Sequence, residues 1–536
     1  MANQNTSADY VIVGAGSAGC AIAARLTEKP NVSVLLVEAG PADNSPLIAN
    51  PIGTAPMLQN SLFGWKYKTA AEPGFNNRSL DCPRGKVMGG TSSINGMLYV
   101  RGNRADYEEW RAAAGDGWGY DDVLPFFRKS ENFDGPPDQW HGSMGPLQTT
   151  KCKPVVPLDS IFLKACTEAG LPENHDFNGA DQTGAGWHQH TITHKGAKRA
   201  SASRTFLREA KGRPNLTIHK ESMVRRIVWD GKRAVGVEVE TASGIQTLRA
   251  NKEVVLAAGA IGSPHILQHS GVGDGDHLKS LGIDVVAENK EVGLNLVDHP
   301  DVGLWYKCTQ PVSLNGIIGN PIKLLGSFAR AFLTGTGPLA GFVFRTGAFI
   351  TTREDEVLPD IQISFAPLYF ERDESEVSSE DGFGLSICLL KPKSRGHIKI
   401  QSQNPNDAPE ILFNYCTEQD DVVRLREGLK KTREIIGAPA FANYRGLEIS
   451  PGDKVQSDVE LDQYLRDEGQ TVYHPVGSAR MGTDANAVVD PRLRVRHVEG
   501  LRIADASIMP TIPRANTNAA CIMIGEKAAE LILQDR

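Results

Sequence analysis

The feature that most constrains the fold of this chain is a glycine-rich turn near its N-terminus. Residues 10–13, Tyr-Val-Ile-Val, form an apolar run that leads directly into the sequence GAGSAG at residues 14–19. The small residues that follow, through residue 26, are typical of a helix, and a second apolar run at residues 32–37 ends at Glu38. A strand, a turn, a helix and a second parallel strand in this order form the fingerprint of a dinucleotide-binding unit.

Each glycine of this turn has a separate physical task. Gly14 permits the tight turn, Gly16 leaves room for a pyrophosphate beside the backbone N–H groups, and Gly19 lets the helix pack closely on the strand. The dipole at the helix N-terminus favours an anion there. Glu38 lies at the distance along the chain from which a carboxylate can accept hydrogen bonds from a ribose. We therefore expect an ADP-containing cofactor.

Length and charge limit the classes of protein to consider. A chain of 536 residues exceeds one ordinary hydrophobic core, so two domains are expected. Its 40% hydrophobic and 23% charged residues are typical of a globular protein. A net charge of −7 gives no reason to expect nucleic acid or an anionic membrane as a partner.

Targeting signals and cysteine spacing point to the compartment. The polar start of the chain at residues 1–8 predicts no secretory signal, and no apolar run approaches the ~20 residues of a membrane span. The chain has eight scattered cysteines, no CxxC pair and no metal-ligand spacing. We expect free thiols in a reducing, cytoplasmic compartment and no metal site.

A second glycine-dense stretch spans residues 83–103 and carries hydroxyl side chains between its glycines. Such a segment suits a backbone pressed against a flat or charged ligand. It resembles the first signature of the glucose-methanol-choline (GMC) flavoprotein oxidoreductases, and residues 258–273 resemble the second. Similar family landmarks follow in order at residues 295–300, 474–477 and 504–507. The chain is identified as a member of this family, in its choline dehydrogenase and alcohol dehydrogenase-like branch.

The resemblance implies an α/β fold with two interleaved domains. One is a Rossmann-like FAD-binding domain, and the other is an α+β substrate-binding domain built on an antiparallel sheet. We expect the FAD-binding domain at residues 1–150, 200–300 and 468–536. The substrate-binding domain is then formed by residues 151–199 and 301–467.

Residue patterning predicts the main elements of both domains. Charged and apolar periodicity predicts helices at residues 105–115, 154–170, 199–209, 420–436 and 519–533. Alternating apolar runs predict strands of a sheet with one covered face at residues 361–365, 385–390 and 397–400.

The resemblance also implies a set of residues that hold the flavin. These residues come from the fingerprint, both signatures and the C-terminal landmarks. They are Gly14, Gly16, Ser17, Ala18, Gly19, Glu38, Ala39, Trp65, Arg84, Gly90, Thr91, Asn95, Gly96, Met97, Leu98, Val224, Ala258, Tyr473, Asp505, Ala506, Asn516 and Thr517. Some family members bind their flavin covalently through a histidine just before the asparagine of the first signature. Ile94 occupies that position here and has no nucleophile, so we expect non-covalent FAD.

Oxidation of an alcohol requires a base for the hydroxyl proton and an acceptor for the carbon hydride, which a flavin supplies at N5. A histidine titrates near neutral pH and suits the base. His474 precedes Pro475, which restricts the backbone, and it matches the catalytic histidine of the family. The second catalytic position of the family is His or Asn, and we assign it to Asn518. An amide cannot act as a base, so proton abstraction falls to His474.

Asn518 also stands where the C-terminal helix is predicted to begin, and it could cap that helix. We expect the N-terminus of this helix to point at the N1–C2=O edge of the flavin. Its partial positive charge would stabilise the anion that develops on reduction.

Arg345 bears on the substrate. It aligns with a position where choline-oxidising members of the family carry a glutamate that attracts the trimethylammonium group. A cation there would repel choline, although Arg345 could also be an ordinary surface residue. We therefore expect a primary aliphatic or aryl alcohol that is oxidised to the aldehyde.

Two alternatives remain open at the level of sequence. One is choline oxidation, and the other is a lyase of the same fold in which the flavin takes no part in redox chemistry. The electron acceptor could be oxygen, a quinone or another carrier, and the chain could form a homo-oligomer.

Overall fold

The computed structural model describes residues 6–370 and 377–535, so residues 1–5 of the polar N-terminal segment lie outside the described residues. Helices are distributed along the whole described chain. The α-helices are α1 (Ser17–Leu26), α2 (Pro46–Ala49), α3 (Thr54–Gln59), α4 (Arg104–Ala114), α5 (Tyr120–Ser130), α6 (Pro157–Glu168), α7 (Gly259–His269), α8 (Gly275–Ser280), α9 (Asn315–Ile318), α10 (Pro321–Thr334), α11 (Gln419–Gly437), α12 (Asp458–Glu468) and α13 (Asn518–Gln534).

Most of the strands belong to two large sheets. In chain order they are β1 (Ser7–Val13), β2 (Val34–Val37), β3 (Gly64–Trp65), β4 (Arg84–Gly85), β5 (Glu131–Phe133), β6 (Leu147–Lys151), β7 (Glu173–Asn174), β8 (Gly184–Trp187), β9 (Gln189–His190), β10 (Leu216–His219), β11 (Met223–Asp230), β12 (Arg233–Thr241), β13 (Gly244–Leu256), β14 (Val272–Gly273), β15 (Ala287–Glu288), β16 (Pro300–Cys308), β17 (Thr346–Ile350), β18 (Ile361–Ala366), β19 (Gly382–Leu389), β20 (His397–Lys399), β21 (Glu410–Leu412), β22 (Arg445–Ser450), β23 (Gln470–Thr471) and β24 (Leu501–Ile503).

The first large sheet has the order β10-β2-β1-β13-β12-β11, and β24 pairs with β13. The pairs among β10, β2, β1, β13 and β24 are parallel, whereas β12 and β11 continue the sheet as antiparallel strands. All four residues of β2 are buried, as expected for a strand covered on both faces. The predicted strand–turn–helix–strand unit at the N-terminus is confirmed by β1, α1 and β2, and the sheet has the Rossmann-like character expected from the sequence.

Helix α1 lies against α13, the last helix of the chain. The two helices approach so closely that a Cβ atom on Gly525 would lie 2.6 Å from the carbonyl oxygen of Ala18. The C-terminal end of the chain therefore packs directly on the glycine-turn helix.

The second large sheet has the order β22-β16-β19-β18-β17-β8-β7, and β23 pairs with β16. Its pairs are antiparallel except for β7 with β8. Side chains alternate between its two faces. Ile387 and Leu389 of β19 pack in the apolar core beneath α6 and α11, whereas Ser386 and Cys388 face a large cavity. We propose that the two sheets mark the two interleaved domains expected from the sequence.

Four predicted helices are confirmed by α4, α6, α11 and α13, with ends that differ by a few residues. At residues 199–209 the helical segment is centred on a π-helix, Ser203–Leu207. The predicted strands at 361–365, 385–390 and 397–400 correspond to β18, β19 and β20, although β20 pairs with β21 outside the large sheet. No helix in the described ranges is long and apolar enough to cross a membrane.

Candidate active site

A cavity of about 1640 Å³ lies between the two sheets. Its wall contains the glycine turn, the glycine-dense signature and the C-terminal landmarks on one side and the open face of the second sheet on the other. The residues expected to hold a flavin converge on this wall, although they come from widely separated parts of the chain. They are Gly14, Gly16, Ser17, Ala18, Glu38, Ala39, Trp65, Arg84, Gly90, Thr91, Asn95, Gly96, Met97, Leu98, Val224, Ala258, Tyr473, Asp505, Ala506, Asn516 and Thr517.

Gly19 is the one expected cofactor residue that does not line the cavity. A Cβ atom on Gly19 would lie 1.9 Å from the carbonyl oxygen of Gly14, so its hydrogen is required for helix packing. Gly14 itself has a φ of +101°, and its Cβ would meet the carbonyl oxygen of Ala257 at 2.5 Å. The turn can therefore be made only with glycine at these two positions.

The start of α1 fits the pyrophosphate of a dinucleotide. Gly16 is the N-cap residue and offers no side chain to satisfy the first N–H groups of the helix. Gly16, Ser17 and Ala18 all line the cavity. A helix N-terminus with open N–H groups is a natural site for an anion.

Glu38 lies at the carboxyl end of β2 and on the cavity wall. Its carboxylate accepts hydrogen bonds of 2.9 Å from the backbone N–H groups of Ala15 and Gly40. Burial raises the pKa of Glu38 to about 7, and the backbone donors partly oppose that rise. The remaining lone pairs of the two oxygens are available to ribose hydroxyls.

Asp505 connects the second signature to the C-terminal landmark. One carboxylate oxygen accepts from the backbone N–H of Gly259 (2.9 Å) and the hydroxyl of Ser263 (2.6 Å). The other accepts from the N–H and hydroxyl of Ser507. Burial raises the pKa of Asp505, while these donors favour its charged form. The carboxylate thus holds the start of α7 against the cavity.

Asn95 and Arg84 are held by partners that the sequence did not reveal. Arg199, fully buried, donates to the side-chain and backbone oxygens of Asn95 at 2.9 and 2.5 Å. Arg84 donates to the carbonyl oxygen of Tyr473 at 2.6 Å. Arg84 and Asn95 both line the cavity, so these bonds set the shape of its wall.

His474 is held by a second histidine and by an aspartate. Asp298 accepts a 2.6 Å hydrogen bond from the backbone N–H of His474 and a 2.8 Å bond from that of His299. Nδ1 of His474 lies 3.1 Å from Nδ1 of His299. Nε2 of His299 lies 3.1 Å from the carbonyl oxygen of Leu390. Asp298 and His299 belong to the landmark at residues 295–300, so their importance had a sequence signal, but their partners had none.

These contacts determine which nitrogen of each ring carries the proton. A carbonyl oxygen only accepts, so Nε2 of His299 donates to Leu390 and Nδ1 of His299 bears a lone pair. Nδ1 of His474 must then donate to that lone pair. In the neutral ring this leaves Nε2 of His474 unprotonated.

Both histidines are neutral at physiological pH. Burial lowers the pKa of His474 well below its ordinary value, and its neighbours His299 and Arg84 lower it further. Burial also lowers the pKa of His299, to about 3. His474 therefore presents an unprotonated, basic nitrogen.

The amide next to this nitrogen belongs to Asn516. Its Nδ2 lies 3.3 Å from Nε2 of His474. Its Oδ1 accepts from Nε2 of Gln362 on β18, at 3.5 Å. Asn518, which the sequence analysis paired with His474, instead accepts a 2.7 Å hydrogen bond from the hydroxyl of Ser17 through its Oδ1. Asn518 begins α13 and lines the cavity as Asn516 does, but its side-chain oxygen is bonded toward α1.

Arg345 does not line the cavity, in contrast to the substrate contact expected from the sequence. Its side chain is only 4% exposed, and one guanidinium nitrogen donates to the carbonyl oxygen of Pro338 at 2.7 Å. Its neighbours Val343 and Phe344 line the cavity instead. The backbone passes the cavity at this point, but the long side chain turns into the protein behind the wall.

The open face of the second sheet forms the wall of the cavity opposite the glycine turn. It carries Asp301, Gln362 and Ser386, and Ser386 donates a 2.7 Å hydrogen bond to Asp301. Trp305 lies on the same face, and Gly384 makes room for its ring because a Cβ there would lie 2.1 Å from the indole. These residues were not singled out from the sequence, because alternation indicates only which residues share a face and not what that face opposes.

Two aromatic pairs extend this wall. Phe342 and Phe344 meet edge-on with ring centroids 5.4 Å apart, and Trp305 and Phe370 do so at 6.2 Å. All four rings line the cavity. Within residues 6–370 and 377–535, no group of three or more His, Cys, Asp or Glu side chains could hold a metal ion.

The chain matches the models of the GMC oxidoreductase N-terminal part at residues 8–301 and C-terminal part at residues 392–525. It is 45% identical over 532 residues to an oxygen-dependent choline dehydrogenase of Escherichia coli O139:H28, covering 98% of this chain and 95% of that protein. Its structure is similar to a pyridoxine 4-oxidase from Mesorbium loti, with a TM-score of 0.89, 31% identity and coverage of 98% and 99% of the two chains. It is also similar to a formate oxidase of Aspergillus oryzae RIB40, with a TM-score of 0.93, 26% identity and coverage of 100% and 99%.

Proposed function

Because the chain belongs to the GMC oxidoreductase family, we propose that it oxidises a primary aliphatic or aryl alcohol to the aldehyde, with FAD as its cofactor. The observation that carries this proposal is the unprotonated Nε2 of His474 beside the amide of Asn516 on the cavity wall. A bound flavin supplies the hydride acceptor at N5.

The base in this proposal is His474. Its Nε2 takes the proton of the substrate hydroxyl, and the chain Leu390–His299–His474 keeps that nitrogen free to do so. Because the ring is buried, it reaches its protonated form only when the alcohol proton arrives. The charge it then carries stabilises negative charge developing nearby.

We propose that Asn516, rather than Asn518, orients the substrate beside this base. Its amide nitrogen lies 3.3 Å from Nε2 of His474, and its oxygen accepts a hydrogen bond from Gln362. Asn518 has a different proposed role. With Ser17 it joins the N-termini of α13 and α1, and the positive end of the α13 dipole is then available to the reduced cofactor.

We propose that FAD is held without a covalent bond. Ile94 is 1% exposed and packs with Ile48, Met57 and Val87, away from the cavity. The start of α1, Glu38 and the Asp505 cluster provide the polar contacts instead. Acid precipitation is expected to leave the flavin in the supernatant, and flavin that stays with the pellet contradicts this proposal.

The aromatic wall formed by Trp305, Phe342, Phe344 and Phe370 favours an apolar substrate. Choline is a second candidate for two reasons. The Escherichia coli relatives are named choline dehydrogenases. Asp301 places a carboxylate on the cavity wall, while Arg345 points away from it.

We propose that the electrons pass from the flavin to oxygen, a quinone or another carrier. We also propose a cytoplasmic location, because the eight cysteines are free.

The decisive experiment mixes the yellow holoenzyme anaerobically with a panel of primary alcohols, aryl alcohols and choline. Bleaching of the flavin by neutral primary alcohols supports the proposed function, and bleaching by choline alone supports the second candidate. A flavin that no alcohol bleaches, together with cleavage of a cyanohydrin, would instead identify a lyase.

A further inference from the structure

Helix α10 (Pro321–Thr334) presents an apolar face to solvent. Ile322, Leu325 and Leu333 are 84%, 71% and 77% exposed, and Phe328 is 42% exposed. Their spacing places them on one side of the helix. A contiguous apolar patch of this kind on a protein surface marks an interaction site.

Two cations border this face. Lys323 and Arg330 are both exposed, and because they lie seven residues apart they share one side of the helix. The helix sequence contains no acidic residue. An outward apolar face with lysine and arginine at its edge is typical of helices that lie in the headgroup region of a membrane.

The sequence on both sides of α10 also contains cationic residues and lacks acidic ones. Residues 302–353 contain five lysines or arginines and no aspartate or glutamate, although the whole chain has a net charge of −7. At the overall frequency of 64 acids in 536 residues, about six would be expected in a segment of this length. Of these five cations, Arg345 is buried, and Lys307 and Arg353 pair with Glu380 and Asp420, so Lys323 and Arg330 are the cations that remain on the α10 surface.

We propose that α10 docks this protein on an anionic lipid surface, with its apolar face in the headgroup region and Lys323 and Arg330 on the lipid phosphates. Each cation near an anionic surface strengthens binding several-fold, and the apolar side chains add burial that the free protein lacks. A second copy of the chain is the alternative occupant of this face, and the oligomeric state tests it.

Docking through α10 would bring the cavity to the lipid surface. Helix α10 packs against α9, and Leu314 and Ile318, at the two ends of α9, line the cavity. Pro338 and Leu339, which follow α10, line it as well. An apolar alcohol or a lipid-soluble electron acceptor could then enter from the bilayer. The binding step itself does not depend on the proposed function.

The test is flotation of the holoenzyme with unilamellar vesicles. We expect it to float with vesicles made of equal parts phosphatidylglycerol and phosphatidylcholine, and to float far less with pure phosphatidylcholine. High salt should release it, since the attraction between charges is screened. Failure to float with the anionic vesicles, or equal flotation with both kinds, would overturn the proposal.

Matched variants locate the contact on α10. The variant Ile322→Ser/Leu325→Ser/Leu333→Ser should lose affinity for anionic vesicles by about tenfold or more, because three membrane-facing side chains become polar. Met144→Ser/Val459→Ser, which alters residues 91% and 80% exposed elsewhere, should bind like the wild type. If both variants bind equally well, α10 is not the docking element.

A charge-reversal pair tests the electrostatic part. Lys323→Glu/Arg330→Glu should weaken binding to the anionic vesicles by about thirtyfold or more. Lys232→Glu/Lys279→Glu, which reverses two exposed cations outside this segment, should change it little. Sedimentation velocity tests the alternative that α10 contacts a second copy of the chain. If the wild type is a dimer that does not bind vesicles, and the triple serine variant is a monomer, the proposal is wrong. Retained flavin absorbance in every variant shows that the fold is intact.

Discussion

A single carbonyl oxygen, that of Leu390, decides which nitrogen of His474 carries the proton. It forces His299 to donate from Nε2, and His299 in turn forces His474 to donate from Nδ1. The unprotonated nitrogen of His474 is therefore set by hydrogen bonds that begin outside the cavity. Burial keeps both rings neutral, so the proposed base is unprotonated at neutral pH.

Replacing His474 with alanine should slow anaerobic reduction of the flavin by about a thousandfold, because the hydroxyl proton loses its acceptor. Stopped-flow absorbance of the bound flavin measures the rate. His175→Ala, at an exposed histidine outside the cavity, is the control and should react normally. Near-normal reduction in the His474 variant would show that another group is the base.

Replacing His299 with alanine should change the pH dependence of the same step. The wild-type rate should be constant through neutral pH, because the pKa of His474 lies well below its ordinary 6.5 and the base is already unprotonated. Loss of His299 removes a neighbouring ring whose protonation in acid would oppose protonation of His474, so the acidic limb should move to higher pH. Burial is the larger cause of the lowered pKa of His474; it remains in the variant and limits the shift of the acidic limb. An unshifted limb would exclude the coupling of the two rings.

Asn516 and Asn518 provide a matched pair of amides. Asn516→Ala should slow flavin reduction by about tenfold or more, since it removes the hydrogen bond beside Nε2 of His474. Asn518→Ala should chiefly weaken FAD retention, because its partner is Ser17 at the start of α1. Reduction rates and FAD dissociation constants separate the two effects. The opposite pattern would return the catalytic assignment to Asn518.

At the scale of elements, α1 depends on the absence of side chains. Gly19 allows the helix to approach the turn at Gly14, and Gly525 allows α13 to approach Ala18. The same helix offers its open N-terminus to the cavity. Close packing and cofactor binding thus impose glycine on different positions of one short segment.

Gly19→Ala should destabilise the protein by about 1–3 kcal/mol or more and weaken FAD binding, because the new Cβ would overlap a carbonyl oxygen. Gly326 lies inside α10, and a Cβ atom added there would meet no other atom within 4 Å. Gly326→Ala should therefore stabilise the protein by about 0.5–1 kcal/mol, because alanine favours a helix interior over glycine. Thermal unfolding of both variants compares them. Equal Tm values would refute the packing argument.

At the scale of the whole molecule, a buried ionic network ties separate segments together. His141 lies 2.9 Å from Glu131 and 2.8 Å from Asp176, and Arg101 donates to Glu131 at 2.7 Å. Asp176 belongs to the first segment of the proposed substrate-binding domain, whereas the other three belong to the proposed FAD-binding domain. The network therefore links segments of the two proposed domains.

This network predicts a pH dependence of stability. Burial opposes protonation of His141, but its two carboxylate partners outweigh it and raise its pKa to about 9. A raised pKa stabilises the fold fully below about pH 6.5, and that contribution is lost as the pH rises through 9. Tm should fall over this range, by an amount equivalent to about 3 kcal/mol. His141→Gln should flatten the change, whereas His175→Gln should not; identical profiles would contradict the assignment.

The sequence alone determined the glycine turn, the segments that converge on the cavity and the place of His474 among them, because these depend on local backbone geometry and on motifs of contiguous residues. Only the tertiary structure decided which amide faces His474, where Arg345 points and what holds Asn95. Those outcomes depend on side-chain direction and on partners hundreds of residues away, such as Gln362 for Asn516. The net charge of −7 did not reveal the exposed cations of α10 either. Charges act over about 10 Å, so the charge summed over the chain does not describe a local surface.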